Sequence, residues 1–272
     1  MNALVAHIAS LLEDLYGREE AEALAWWVAE EMTGQNRTQL QIGCKDTTFS
    51  ADMQEVVERL RHFEPIQYIF GHMEWSDLDL KVTPATLIPR PETAELVKLI
   101  IERQDLKTER SLRVLDIGTG SGCIALALKK MRPEWEITGI DISSEAIAVA
   151  KENGQRNHIE ADFRQMDIFS DSIECFDVVA SNPPYVRESE KSSMRRNVLD
   201  YEPSTALFVS DGDPLIFYRR IVSLHLGRYL FFEINEALSA EVADLLHKAD
   251  CVDIQIHQDC YGKNRFISCR MA

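Results

Sequence analysis

A chain of 272 residues, 45% hydrophobic and 27% charged, is long enough for a large core and for one or two domains, with the composition of a soluble globular protein. Its net charge of −16, from 29 basic and 45 acidic residues, repels phosphate backbones and weighs against a nucleic-acid substrate. No apolar run approaches the roughly 20 residues that span a bilayer, and Met1 to Ser10 lacks the basic start of a signal peptide, so neither a membrane partner nor a leader is expected.

The six cysteines, Cys44, Cys123, Cys175, Cys251, Cys260 and Cys269, form no Cys-x-x-Cys pair. The usual zinc and thioredoxin spacings are therefore missing. Most lie in apolar runs, as small hydrophobes do in a reduced, cytoplasmic protein. A Cys260–Cys269 bridge across a C-terminal hairpin is the alternative.

In chain order, Leu4 to Tyr16 and Glu19 to Met32 repeat apolar residues at helical spacing, with Gly17 and Gly34 as stops. Ser50 is a plausible cap for a third helix running to Phe63. These read as a small helical bundle in which Trp26 and Trp27 are core. Tyr68-Ile69-Phe70 and Leu78 to Val82 look strand-like and Ser76-Asp77 offers a turn, so a hairpin is predicted here. Pro84-Ala85-Thr86-Leu87-Ile88-Pro89-Arg90-Pro91-Glu92-Thr93 is stiff and proline-rich. It runs into a helix from Glu92 to about Arg103, which holds Arg90 and Glu92 on rigid backbone near a helix N-terminus.

From Ser111 strands and helices alternate. Strands are predicted at Arg113 to Ile117, Glu136 to Asp141, Phe163 to Asp167, Phe176 to Ala180 and Arg228 to Ile234. Val252 to His257 and Arg265 to Arg270 follow as a final antiparallel pair. Helices are expected from Cys123 to Met131, from Ser143 to Asn157, from Pro214 to Leu226 and from Ala237 to Ala249. The pattern is α/β, with a mainly parallel, doubly wound sheet of seven strands.

The first of these strands ends in Gly118-Thr119-Gly120-Ser121-Gly122, and a helix follows. Strand, glycine-rich turn and helix form a nucleotide-binding arrangement, because glycines let backbone N–H groups approach a ligand. Asp141 ends the next strand 23 residues after Gly118, where an acid suits the two hydroxyls of a ribose. The fourth strand runs into Asn182-Pro183-Pro184-Tyr185. Two prolines cannot continue a central strand, so the chain leaves the sheet in a rigid, extended form. The Asn182 side chain offers an acceptor and two donors, and a carbonyl without a strand partner is a further acceptor; beside the rigid prolines and Tyr185, they could hold a planar amide or amine in one orientation. No Ser-His-Asp or metal-ligand constellation occurs. His72, His158 and His225 read as surface or satisfied residues, and the Arg187 to Arg196 run, which also holds Glu188 and Glu190, reads as a solvated loop.

The run Val114 to Gly122 resembles the first motif of Rossmann-like S-adenosylmethionine methyltransferases. On that resemblance Asp141 matches the ribose acid, Asp167-Ile168 the adenine-side position and Asn182 to Tyr185 the amino-group methylation motif. Together with Pro65-Ile66-Gln67-Tyr68-Ile69-Phe70-Gly71, Pro84 to Thr93, Tyr201-Glu202-Pro203 and Ala206-Leu207, the whole chain resembles the bacterial peptide chain release factor glutamine N5-methyltransferases. The resemblance implies a helical substrate-recognition domain over 1–64, a β-hairpin linker over 65–90 and a methyltransferase domain over 91–272. It implies S-adenosyl-L-methionine as methyl donor, bound by Gly118, Thr119, Gly120, Ser121, Gly122, Asp141, Asp167, Ile168 and Asn182. The substrate would be the glutamine of the Gly-Gly-Gln loop of release factors, held by Arg90, Glu92 and Asn182 to Tyr185 in a monomeric enzyme. Ile168 stands where some relatives carry an aromatic residue. The motif also suits a ribosomal-protein glutamine methyltransferase, or an amino-group methyltransferase of DNA or RNA. A non-catalytic module that kept the cofactor pocket is the third class, and the intact motifs argue against it.

Overall fold

The computed structural model describes residues 2–43, 48–107 and 111–272, and the chain divides into two compact units. The first comprises Met1–Phe70 and Arg196–Tyr201, the second Gly71–Arg195 and Glu202–Ala272.

The first unit is helical: α1 (Ala3–Tyr16), α2 (Arg18–Thr33), α3 (Arg37–Ile42), α4 (Ala51–Arg61) and α5 (Ile66–Phe70). Its helix ends follow local chemistry. The Asn2 side chain accepts from Leu4 N and that of Ser50 from Met53 N, each supplying a partner to an otherwise orphaned first-turn N–H. Gly34, at φ 66°, closes α2 in the left-handed conformation that costs a glycine little. Leu4, Ile8 and Leu12 of α1 meet Ala25 and Val28 of α2 and Leu60 of α4 in one core. Trp26 is buried in that core beneath the Arg37 guanidinium, and Trp27 is half-buried against it. The segment Arg196–Tyr201 belongs here: the Tyr201 hydroxyl donates to His62 O at 3.0 Å, and Arg196 lies over the Phe63 ring.

One predicted strand is a helix. Tyr68-Ile69-Phe70 carries β-forming side chains, yet Tyr68 N and Ile69 N both donate to Pro65 O, forming a turn of α5 that ends at Gly71, φ 76°. Packing of Ile66 and Tyr68 outweighs intrinsic propensity in so short a run. The hairpin instead pairs β1 (His72–Trp75) with β2 (Leu78–Lys81) through Ser76 and Asp77, both at positive φ. It lies within the second unit. The helix α3 was not foreseen, and Cys44 lies outside the described residues.

The second unit continues with α6 (Thr93–Glu102), α7 (Gln104–Lys107), β3 (Arg113–Ile117), α8 (Cys123–Met131), β4 (Glu136–Asp141), α9 (Ser144–Arg156), β5 (Asp162–Gln165), β6 (Phe176–Ser181) and β7 (Val186–Arg187). After α10 (Arg196–Tyr201) come α11 (Ser204–Leu207), β8 (Phe208–Val209), α12 (Ile216–Ser223), β9 (Gly227–Glu233), α13 (Ser239–Lys248), β10 (Cys251–Gln258) and β11 (Asn264–Met271). Among the described residues seven strands form one sheet in the order β10-β11-β9-β6-β3-β4-β5. The five from β9 to β5 are parallel, and β11 runs antiparallel to both its neighbours. The sheet is thus mainly parallel, as expected. Its strands read as apolar runs because both faces are covered; Val114, Leu115, Val178 and Val179 are all fully buried.

The strand order reverses beside β3. The chain steps outward through β4 and β5, then returns to lay β6 on the other side of β3. Ligands of open α/β sheets bind at the carboxyl ends of strands at such a switch point. Here Ile117 and Ser181, the last residues of β3 and β6, are in register, and the Ser181 hydroxyl donates to Ile117 O at 2.8 Å. The glycine-rich turn and Asn182-Pro183-Pro184 are therefore neighbours by construction.

Candidate active site

A cavity of about 450 Å³ opens at the carboxyl ends of the parallel strands. Its floor is Gly118-Thr119-Gly120-Ser121. Gly118 N and Thr119 N both donate to Ile140 O at 2.9 Å, which ties the turn to the end of β4. Gly118 has φ 72°, and a Cβ built there would meet nothing within 4 Å. Gly122 behaves differently. It does not line the cavity; its Cβ would press on Ala150 and Phe163 at 3.1 Å, so this glycine allows close packing of the turn on α9 and β5. Behind the turn, the Thr119 hydroxyl donates to Asp116 Oδ2 at 2.6 Å, while Asp116 Oδ1 is buried without a partner. Burial of that carboxyl pushes it up to about 7.

Asp141 stands at the cavity rim. Its Oδ2 accepts from Gly120 N at 2.9 Å and its Oδ1 from Ser143 N at 3.0 Å, so the acid is fixed in place and keeps lone pairs for a further donor. Asp167 and Ile168 also line the cavity. The Asp167 carboxylate accepts from Phe169 N and Ser170 Oγ, holding a tight turn. Ile168 is 7% exposed, and its carbonyl accepts from Arg220 Nε. The aromatic surface absent at 168 is supplied one residue later. Phe169 lines the cavity and meets Phe217 edge-on at 5.5 Å, and the exposed apolar side chain of Ile142 lines the same cavity. None of Ile142, Phe169 and Phe217 was singled out from the sequence; the exposed apolar residue directly after the strand-ending Asp141 was the available signal.

On the other side of the cavity, Asn182, Pro183 and Pro184 form part of the wall. Asn182 Nδ2 donates to Thr93 Oγ1 at 3.4 Å. Tyr185 is not in the wall. It packs partly buried against the core, and its hydroxyl donates to Glu233 Oε1 at 2.9 Å. Burial beside that carboxylate drives the phenol well above its ordinary range. This contact anchors the segment at its hydroxyl end.

Arg90 lines the cavity and its guanidinium meets Glu202 Oε1 at 2.7 Å; Glu202 Oε2 also accepts from Ile88 N. Glu202 is buried, so the pair is a shielded clamp on the proline-rich segment. Glu92 does not line the cavity; it precedes α6 without capping it. A second clamp is Asn153, which is 0% exposed: its Nδ2 donates to Lys81 O and Ser121 O, and its Oδ1 accepts from Lys81 N. It fastens the β1–β2 hairpin to the glycine-rich turn. Neither Glu202 nor Asn153 was assigned a role from the sequence.

The basic run after Tyr185 is internally paired. Arg187 contacts Glu190, Lys191 contacts Glu188 and Arg196 contacts Asp200. Cys123, Cys175, Cys251, Cys260 and Cys269 are free thiols. No helix among the described residues is long and apolar enough to cross a membrane.

Comparison with known proteins agrees with this geometry. Residues 3–71 match the PrmC N-terminal domain family and residues 98–215 the Methyltransferase small domain family. The chain is 42% identical to the release factor glutamine methyltransferase of Bacteroides thetaiotaomicron, over 98% of this chain and 99% of that protein. It is 38% identical to that of Flavobacterium psychrophilum, over 94% of each. Among solved structures it resembles the hMettl16 catalytic domain in complex with MAT2A 3′UTR hairpin 6 (TM-score 0.57, 16% identity, 84% of each chain). It also resembles human methyltransferase 10 domain containing protein (TM-score 0.53, 18% identity, 80% of this chain and 97% of that one). At such identities these structures attest the methyltransferase fold alone.

Proposed function

The chain belongs to the release factor glutamine methyltransferases, and we propose that it transfers a methyl group from S-adenosylmethionine to the side-chain amide nitrogen of the glutamine in the Gly-Gly-Gln motif of peptide chain release factors. The observation that carries this reading is the placing of Asn182-Pro183-Pro184 in the wall of the cavity floored by the glycine-rich turn, through the register of β3 with β6.

The residues present fit the methyl donor. At Gly118 the open space beside a backbone in the left-handed region is a cradle that any Cβ would fill. Gly118 to Ser121 would hold the donor's amino-acid part, Asp141 its ribose hydroxyls, and Ile142, Ile168 and Phe169 its adenine. S-adenosylmethionine supplies an electrophilic methyl group on a sulfonium that carries its own leaving group. The protein's task is to orient the acceptor. An amide nitrogen is a poor nucleophile because its lone pair is delocalised. Two acceptors, Asn182 Oδ1 and the Pro183 carbonyl, would take its two N–H groups, aim the nitrogen, and stabilise the positive charge that develops on attack. The methylated nitrogen is acidic enough to lose its proton afterwards, so no base is needed beforehand. An acidic chain with its Arg187 to Arg196 cations internally paired suits a protein acceptor better than a nucleic acid. Translation places the reaction in the cytoplasm.

The test is direct. The enzyme and labelled donor are incubated with release factor, ribosomal protein, DNA and RNA, and the label is mapped by mass spectrometry. Label on the Gly-Gly-Gln glutamine is expected. Label on nucleic acid or on another protein, with none on that glutamine, would overturn the reading.

A further inference from the structure

The geometry points to Glu233 as a positioning residue that decides, through Thr93, which end of the Asn182 carboxamide faces the acceptor; this rests on the amide-holding role proposed for Asn182. Glu233 is the last residue of β9 and is 1% exposed. It holds two separate elements. Its Oε2 accepts from the Thr93 hydroxyl at 2.7 Å, at the start of α6, and its Oε1 accepts from the Tyr185 hydroxyl at 2.9 Å, just beyond Asn182. No role was assigned to it from sequence, and it lies outside the cavity wall.

The argument is one of proton count. A carboxylate only accepts hydrogen bonds, and a threonine hydroxyl has a single proton. Thr93 gives that proton to Glu233. Toward any other neighbour its oxygen can therefore only accept. That neighbour is Asn182, with Nδ2 at 3.4 Å. The amino end of the carboxamide must then face Thr93, and Oδ1 remains as the end available to the cavity. In the flipped carboxamide, Oδ1 would face a Thr93 oxygen with no proton left to share, and two acceptors would repel. The long Asn182–Thr93 contact is a weak tether by itself. Orientation comes from the penalty on the wrong end, and Glu233 creates that penalty without touching the substrate.

Glu233→Gln keeps the shape but gives position 233 a donor end. Thr93 can then accept from it and turn its own proton toward Asn182, which favours the flipped carboxamide. Thr93→Val removes the relay at nearly constant volume, and Thr93→Ser restores the hydroxyl. Four readings are taken on each variant: kcat and KM with release factor, the affinity for S-adenosylhomocysteine, and the nuclear Overhauser contact between the Asn182 side-chain amide protons and residue 93. Thr93→Val should lower kcat by about 100-fold, in line with loss of a preorganised polar group, and Glu233→Gln by at least about tenfold, both with product affinity within about threefold. Thr93→Ser should recover most of kcat. The double variant should be no slower than the slower single one, since both act along one chain of contacts. The contact from the Asn182 amide protons should persist in Thr93→Ser and weaken in Glu233→Gln.

The inference is overturned if Thr93→Val keeps kcat within about threefold of wild type, if the two substitutions multiply, or if kcat falls only in proportion to product affinity. Should Glu233→Gln not fold, the Thr93→Val and Thr93→Ser pair decides by itself. A wild-type enzyme that methylates no glutamine would instead refute the proposed function, so the two failures are distinguishable.

Discussion

Two glycines at the cavity floor make opposite predictions for the same substitution. Gly118 has φ 72° and open space where a Cβ would go. Alanine there adds left-handed strain of about 1–2 kcal/mol, and its methyl group enters the donor's cradle. Gly139, in the middle of β4, has ordinary backbone, but a Cβ would lie 2.6 Å from Thr119 Oγ1 and 2.7 Å from the Phe163 ring. Alanine there overpacks the core, at about 1–3 kcal/mol. Displacing Thr119 also takes the hydroxyl donor from the buried Asp116 Oδ2, for about another 1–3 kcal/mol. Gly139→Ala should therefore lose roughly 2–6 kcal/mol of stability, more than Gly118→Ala. Binding should show the reverse order: Gly118→Ala should weaken S-adenosylhomocysteine by at least about 100-fold, consistent with a steric block of several kcal/mol, and Gly139→Ala by less. Urea unfolding and titration calorimetry measure the two quantities on each variant. The reasoning is refuted if Gly118→Ala is the less stable of the pair, or if it binds the product within threefold of wild type.

Asn182→Ala should lower kcat by at least about 100-fold while leaving product affinity within a few fold, because it removes an acceptor for the target amide; transfer near the wild-type rate would sink the amide-holding role. Asp116, raised by burial to about 7, makes stability depend on pH. Between the ordinary carboxylate range and about 7 the folded state binds more protons than the unfolded, so wild-type stability contributed by this group is full in acid and falls as pH rises toward neutrality, by up to about 4 kcal/mol. Asp116→Asn lacks this titration. Its melting temperature relative to wild type should rise steadily between pH 5 and about 7.5, and a constant difference across that range would mean that Asp116 does not titrate there.

The parts of the site carried by local pattern were legible. Apolar strands between turn residues announced the α/β sheet, and Gly118 to Gly122 with Asp141 announced a nucleotide-type ligand. Tyr68 to Phe70 misled, because β-branched and aromatic letters in so short a run do not separate a strand from one turn of helix. Tyr185 was legible as part of the rigid motif, but the partner of its hydroxyl, Glu233, was not. The pairings that were missed share one property. Thr93 meets Glu233 across 140 residues, Arg90 meets Glu202 across 112 and Asn153 meets Lys81 across 72. A single polar letter in an apolar run carries no periodicity, so its partner cannot be found until topology brings the two together.

That long-range polar framework follows from the chemistry. Methyl transfer to an amide asks for alignment more than for proton transfer, and alignment must be held by elements that cannot drift. The β3–β6 register fixes Asn182 relative to the glycine-rich turn, the prolines stiffen both approaches, and the buried carboxylates of Glu202 and Glu233 tie those stiff segments to the protein at Arg90 and at Thr93 with Tyr185. Each acid is buried, so a misaligned segment would leave a buried carboxylate short of a partner, at about 1–3 kcal/mol or more. Precision in this site is therefore enforced from behind the cavity wall, by groups that never meet the acceptor.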